Sequence, residues 1–264
     1  MNKIDYPVGV LPLDFLVSAI EKERYVENIK GIPGPIDYGF DYKDREVTLN
    51  FWLRHFHGEH DQKLLKSELY AMLDSQPYFY VSDDKLPTRV LKLAIDEPYL
   101  PERINGSNIS TLEIKCQIIG LPFWQTKYTA QKIEASGYTA IEEKYGLADG
   151  INVDYPNYTF TTKTINVWNG GNVTIDPRNM PLSIKVNSLT SEGNFTIFNE
   201  TTNETFIFKK KIPPTALNIQ GTKVLLGKYN YLRDSNRKFI SLKPGLNKLK
   251  FMKLDKILMI LKSL

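Results

Sequence analysis

The chain has 264 residues and a mass of 30.4 kDa, enough for two domains of ordinary size. Hydrophobic residues make up 42% and charged residues 24%, which excludes wholesale disorder, and the single cysteine, Cys116, excludes a disulfide scaffold or a cysteine-rich zinc module. The net charge of +4 hides an uneven split: residues 207–264 carry 14 Lys and Arg against 2 acidic groups, residues 1–206 carry 20 against 28.

In chain order, the first strong signal is alternation. Val47, Leu49, Phe51 and Leu53 share one face of a strand, and Thr48, Asn50, Trp52 and Arg54 share the other. An amphipathic helix follows over His60–Gln76, with Leu65, Leu69, Met72 and Leu73 on one stripe, Asp61 placed to cap its start and Pro77 to stop it. Strands are expected at Tyr78–Val81 and Arg89–Ile95. Another runs through Leu112, Ile114, Cys116 and Ile118, opposed by Thr111, Glu113, Lys115 and Gln117. Pro122-Phe123-Trp124 ends this β-rich part, assigned to residues 1–127. Residues 128–150 lack alternation, include a helix-prone piece at Thr139–Tyr145, and read as a connection.

From Ile151 to Leu264 the pattern is all strand. The expected segments are Tyr158–Trp168, Val173–Ile175, Leu182–Val186, Phe195–Phe198, Phe206–Phe208, Lys223–Leu226, Phe239–Leu242, Leu246–Phe251 and Ile257–Leu261. Asn169-Gly170-Gly171-Asn172, Pro213-Pro214 and Pro244-Gly245 are taken as the turns between them, and Phe195/Ile197 with Phe206/Phe208 as a hairpin. Many short strands and almost no helix describe a β-sandwich of jelly-roll type. The fold class is therefore mainly β, in two domains.

The search for chemistry ends without a site. His55, His57 and His60, with Glu59 and Asp61, hold every histidine of the chain and invite a metal shell. The segment nevertheless lies where a strand enters a turn at Gly58, where polar residues are expected anyway. Any Ser-His or Cys-His pair must draw on the same three histidines, and Cys116 sits on the apolar face of its strand. Gly221–Tyr229 has the wrong spacing for a phosphate loop, with tyrosine where a metal-binding hydroxyl belongs. Asp83-Asp84 and Glu142-Glu143 fall in turn or linker contexts. Asn-x-Ser/Thr triplets at Asn105, Asn108, Asn157, Asn172, Asn194, Asn199 and Asn203 are attributed to Asn- and Thr-rich strands and turns rather than to glycans. No catalytic, cofactor-binding or metal residue is assigned, and no cofactor is expected. The N-terminal residues lack signal-peptide character, and the longest apolar run, Ile257–Leu261, is far short of the roughly 20 residues of a spanning helix, so no membrane insertion is expected.

Two stretches resemble the distal tail protein family of long-tailed, non-contractile bacteriophages. One runs from Asn28-Ile29-Lys30-Gly31-Ile32-Pro33-Gly34 through Asp37-Tyr38-Gly39 into the strand Glu46–Arg54, then the helix Leu64–Leu73, Gln76-Pro77-Tyr78-Phe79 and the strand Arg89–Ile95. The other is Asn169-Gly170-Gly171-Asn172-Val173-Thr174-Ile175-Asp176-Pro177, followed by Leu182, Ile184 and Val186 and the later Leu242-Lys243-Pro244-Gly245-Leu246-Asn247-Lys248-Leu249. Pro35 departs from the basic residue expected after Pro-Gly. The resemblance implies a structural virion protein with an N-terminal domain that builds a hexameric ring and a C-terminal galectin-like sandwich. Such a ring joins the tail tube to tail-tip and receptor-binding proteins, leaves a channel for DNA, and assembles in the host bacterial cytoplasm. It implies no catalytic residue.

A ring needs one face of each subunit to fit a different face of the next. Ile32–Tyr42, rich in Pro and Gly, is the candidate for an arm lent to a neighbour's sheet edge, against the reading of an ordinary surface loop. DNA passage argues for keeping Lys209, Lys210 and Lys211 away from the lumen. The competing readings are a stand-alone carbohydrate-binding module for anionic cell-wall polymers, suited to the basic end of the chain, and a hydrolase of such polymers resting on the histidine segment. Lysine outnumbers arginine 26 to 8, which speaks against bidentate reading of phosphates or bases.

Overall fold

The computed structural model describes residues 4–136 and 150–254, together with the backbone of 258–263. The helix-prone piece Thr139–Tyr145 and the Glu142-Glu143 pair lie outside the described residues. The fold is mainly antiparallel β, and the chain divides into two compact units, Met1–Gln125 and Thr126–Leu264.

In the first unit, β1 (Val10–Val17), β2 (Lys22–Glu27), β3 (Ile36–Tyr42) and β4 (Val47–Arg54) precede the helix α1 (Glu59–Asp74). Then come β5 (Phe79–Asp83), β6 (Leu86–Ala94), the short β7 (Glu102–Arg103), β8 (Ile109–Ile118) and, at the division between units, β9 (Gln125–Thr126). The main sheet runs β1-β4-β8-β6-β5, with β7 beside β8, while β2 and β3 form a separate two-stranded hairpin. Alternation does what it predicts: Val47, Leu49, Phe51 and Leu53 of β4 are buried, as are Leu112, Ile114 and Cys116 of β8, with Leu49 opposite Ile114 and Phe51 opposite Leu112. Helix α1 closes this core with Leu65 and Leu69, and Met72 and Leu73 pack at its margin.

Two local expectations change. The helix starts at Glu59, behind Gly58, which adopts φ 85° and offers no side-chain cap. Asp61 is therefore inside the helix, and its carboxylate turns back to accept the backbone N–H groups of Phe56 (2.6 Å) and His57 (3.1 Å). It ties the strand-to-helix turn rather than capping the helix. The expected arm Ile32–Tyr42 is not a free extended segment, because β3 pairs along its length with β2, from Lys22 opposite Tyr42 to Glu27 opposite Ile36.

The second unit begins with α2 (Ala130–Ala135), then β10 (Thr159–Phe160), β11 (Thr164–Asn169), β12 (Leu182–Ser191), β13 (Phe195–Asn199) and β14 (Glu204–Phe208). It continues with β15 (Ile212–Gln220), β16 (Lys223–Leu226), β17 (Tyr229–Asn230), β18 (Gly245–Met252) and β19 (Leu258–Ser263). One sheet has the order β10-β19-β12-β15-β16-β17 and the other β11-β18-β13-β14. Val186, Leu189 and Leu217 of the first sheet and Phe195, Ile197, Phe206, Phe208, Leu249 and Phe251 of the second share one buried core, so the unit is a two-layered sandwich. The expected hairpin is present, with Phe195 opposite Phe208 and Ile197 opposite Phe206.

The other differences have physical causes. Tyr158–Trp168 is not one strand: it breaks between Phe160 and Thr164, and its halves join different sheets. Val173–Ile175 and Phe239–Leu242 are not strands but meet in a single bridge, Ile175 to Leu242, through two 2.9 Å backbone bonds. Pro213-Pro214, taken as a turn, lies inside β15. There β16 covers only Leu217–Gln220, and the pairing with β12 carries two register shifts, so the missing proline donors fall where the ladder is already interrupted.

Candidate assembly surfaces

The histidine segment is a braced turn. His55 N–H donates to the Asn108 carbonyl at 3.1 Å, and Asn108 Nδ2 donates back to the His55 carbonyl at 3.1 Å. Arg103 reaches Gln62 Oε1 with Nε at 2.6 Å and Glu59 Oε1 with a terminal nitrogen at 3.3 Å, and Gln62 Nε2 donates to Ser110 Oγ at 3.0 Å. These contacts fasten the start of α1 to β7 and β8. The two backbone donors on Asp61 hold its carboxyl below the usual carboxylate range. Among the described residues no three His, Cys, Asp or Glu side chains converge on a position that would hold a metal ion. Cys116 is buried beside Ile114, and burial pushes its thiol up to about 12, far from a nucleophilic thiolate.

Three buried asparagines of the sandwich, Asn169, Asn199 and Asn247, are likewise structural. Asn169 Nδ2 donates to the Val173 and Leu242 carbonyls at 3.0 and 2.9 Å, and its Oδ1 accepts from Gly171 at 3.0 Å. Asn199 spans Ser241 and Thr201 at 2.8 and 2.9 Å. Asn247 donates to the Lys243 and Gly245 carbonyls and accepts from Lys243 N–H at 2.9 Å. Each buried amide stands in for a backbone partner in an irregular loop, which is what buried loop backbone requires. Asn199 is completely buried, so its Asn-x-Thr triplet presents no acceptor to a glycan. Gly170 meets Gly150 so closely that an added Cβ would lie 2.4 Å from the Gly150 carbonyl oxygen, and the same oxygen accepts from Trp168 Nε1 at 2.7 Å. Glu204, which the sequence reading passed over, accepts from Ser241 N–H and Oγ at 2.7 and 2.6 Å and from Thr202 at 2.9 Å.

Three surfaces of the first unit remain open among the described residues. Strand β1 is an outer strand whose Leu11, Leu13 and Leu16 are exposed, and β5 is the outer strand at the other end of the sheet. Tyr78, just before β5, and Tyr80, within it, meet edge to face, and Lys92 Nζ stands 3.6 Å from the centre of the Tyr78 ring. The third surface is the β2–β3 hairpin. Every residue of β2 is exposed, and Val26, Ile29, Ile32, Tyr38, Phe40 and Tyr42 bring apolar area to solvent. The hairpin is stiffened by Lys22 over Phe40 at 4.7 Å, by the Arg24–Asp37 ion pair and by the Tyr42–Phe123 edge contact at its base. Such edges and such a patch are what isolated domains blunt or cover, and here they are left available.

Comparison with known proteins bears on the first unit and on the fold of the chain. Residues 8–116 match the family model of the phage tail protein RIFT-related domain. The crystal structure of the Dit (gp 19.1) protein of phage SPP1, described as a paradigm of the hub adsorption apparatus in phages that infect Gram-positive hosts, is similar over 94% of this chain and 93% of that one, with a TM-score of 0.65 at 13% identity. Chains of the phage P2 baseplate in its activated conformation match at 10% identity with Ca and 11% with Sr, each over 97% of this chain and 91% of theirs, with TM-scores of 0.40 and 0.39. No curated protein matches the sequence. Residues 8–116 thus match the phage tail protein RIFT-related domain, and the chain as a whole shares its fold with the SPP1 Dit protein.

Proposed function

We propose that this chain is a structural hub protein of a long-tailed, non-contractile phage. Copies of it, six in number, close into a ring at the distal end of the tail tube, connect the tube to tail-tip and receptor-binding proteins, and leave a channel for DNA. The first unit forms the ring, residues 128–150 connect, and the second unit is a galectin-like sandwich that presents docking surface. The observation that carries this reading is the pair of unpaired sheet edges, β1 and β5, together with the exposed β2–β3 hairpin, all within or beside the tail-domain match. Two different open edges on one subunit suit head-to-tail closure, where a symmetric dimer would need only one. The hairpin is the arm: its apolar tip, Val26, Ile29 and Ile32, is the part a neighbouring subunit would cover. Lys209, Lys210 and Lys211 face the periphery, because lysines on the channel wall would hold passing phosphates. The role needs no turnover and no cofactor, and its place is the virion, after assembly in the host bacterial cytoplasm.

Sedimentation-equilibrium mass of the purified chain tests the reading. A closed oligomer of six copies of the 30.4 kDa chain is expected; a monomer at tens of micromolar concentration would overturn the ring. Deleting Ile32–Pro35 should leave strand-type circular dichroism intact and lower the mass to that of a monomer. A hexamer that survives the deletion would remove the hairpin tip from the interface.

A further inference from the structure

The second unit carries a feature that a tube-to-tip connector does not require. Between the end of β14 and the β16–β17 hairpin lies an open groove of about 390 Å³, lined by Lys210, Lys211, Pro213, Lys228, Tyr229 and Tyr231 among others. That volume is in the range of sites that take one or two sugar-sized units. Its lining holds three lysines and no carboxylate. Two of the lysines are held in place from outside the groove: Lys210 Nζ sits 3.0 Å from Asp234 Oδ1, and Lys211 Nζ sits 2.7 Å from Glu192 Oε2. Each ammonium keeps donors to spare, since a lysine has three. Lys228 stands in the two-residue turn between β16 and β17, where Gly227 takes φ 59°, and has no ion pair among the described residues. Next to it Tyr229 is 73% exposed, an uncovered ring rather than a core residue.

We propose that this groove is a binding site for a flexible anionic chain of the polyol-phosphate or sugar-phosphate class, with Lys228, Lys210 and Lys211 taking successive phosphates and Tyr229 stacking on the unit between them. The lysine point charges and a single strongly exposed ring, Tyr229, with Tyr231 partly buried against the core, favour this class over single-stranded nucleic acid, which binds best on a run of aromatic platforms and arginines. The site lies wholly within the second unit and stands whether or not the chain closes into a ring.

The test uses the full-length chain and poly(glycerol phosphate) as probe, by calorimetric titration at 50 and 300 mM salt, with dextran and a deoxythymidine oligonucleotide as comparison ligands. Binding to poly(glycerol phosphate) that weakens at least tenfold at the higher salt is expected, with none to dextran. Lys228→Ala and Tyr229→Ala should each weaken it about fivefold or more, while Lys238→Ala and Lys243→Ala, outside the groove, leave it unchanged; all four side chains are exposed, and circular dichroism checks that the variants fold. No binding at 50 mM salt, equal losses from the outside lysines, or tighter binding of the oligonucleotide would each overturn the proposal.

Discussion

Several single residues in this chain hold its loops together. Asn247 is fully buried and makes three hydrogen bonds to the Lys243–Gly245 turn, so Asn247→Leu strands a donor and acceptors and should cost about 2 kcal/mol, read from urea denaturation. Gly170→Ala places a methyl against the Gly150 backbone, and an expected loss of about 2–4 kcal/mol should appear together with faster proteolysis near residue 150. Cys116 should resist a thiol reagent at pH 8 in the native protein and react fully in denaturant, because burial raises its pKa to about 12. Asp61 has a lowered folded pKa, so its contribution is complete above its ordinary value of 3.8 and is lost as the pH falls through the lower folded value. Asp61→Asn should therefore flatten the acid limb of the stability profile. Little of this is legible beforehand: a sequence shows Asn and Gly at a turn, but only coordinates show which amide is buried and which glycine touches another backbone. The sequence did expose Cys116, because its neighbours Leu112 and Ile114 alternate with Glu113 and Lys115.

At the scale of elements, legibility follows burial. Strands β4 and β8, half buried with strict alternation, are readable residue by residue, as is the β13–β14 hairpin. Strands β1, β2 and β3 are not, because they are mostly exposed and no core imposes a period on them. Strand β15 was hidden by Pro213-Pro214, since prolines signal turns unless an interrupted ladder makes room for them. Helix α1 was readable from Leu65 and Leu69 but its start was not, because the carboxylate of Asp61 serves the preceding turn. Leu69 is entirely buried, and Leu69→Ala should destabilise the first unit by about 3 kcal/mol in thermal or urea unfolding. The same experiment on Leu64, half exposed on the outer face, should change little.

For the whole molecule, composition foretold the class but not the surfaces. The mainly β character and the resemblance to tail proteins were in the residues; the open edges of β1 and β5 and the basic groove by Tyr229 appear only once the strands are ordered. The charge asymmetry is partly spent on ion pairs, as Lys248 and Lys250 both meet Glu200 and Lys210 meets Asp234, which leaves fewer free cations than the count suggests. The position of β19 has one more consequence. It is the latest strand among the described residues, yet it lies inside its sheet, hydrogen-bonded to β12 on one side and β10 on the other. During synthesis the first unit can fold as soon as it leaves the ribosome, but the sandwich must wait with the flank of β12 bare until residue 263 has emerged. A message broken before codon 258 would yield a polypeptide with a sound leading half and a sticky trailing one, prone to clump with its siblings rather than to enter a virion.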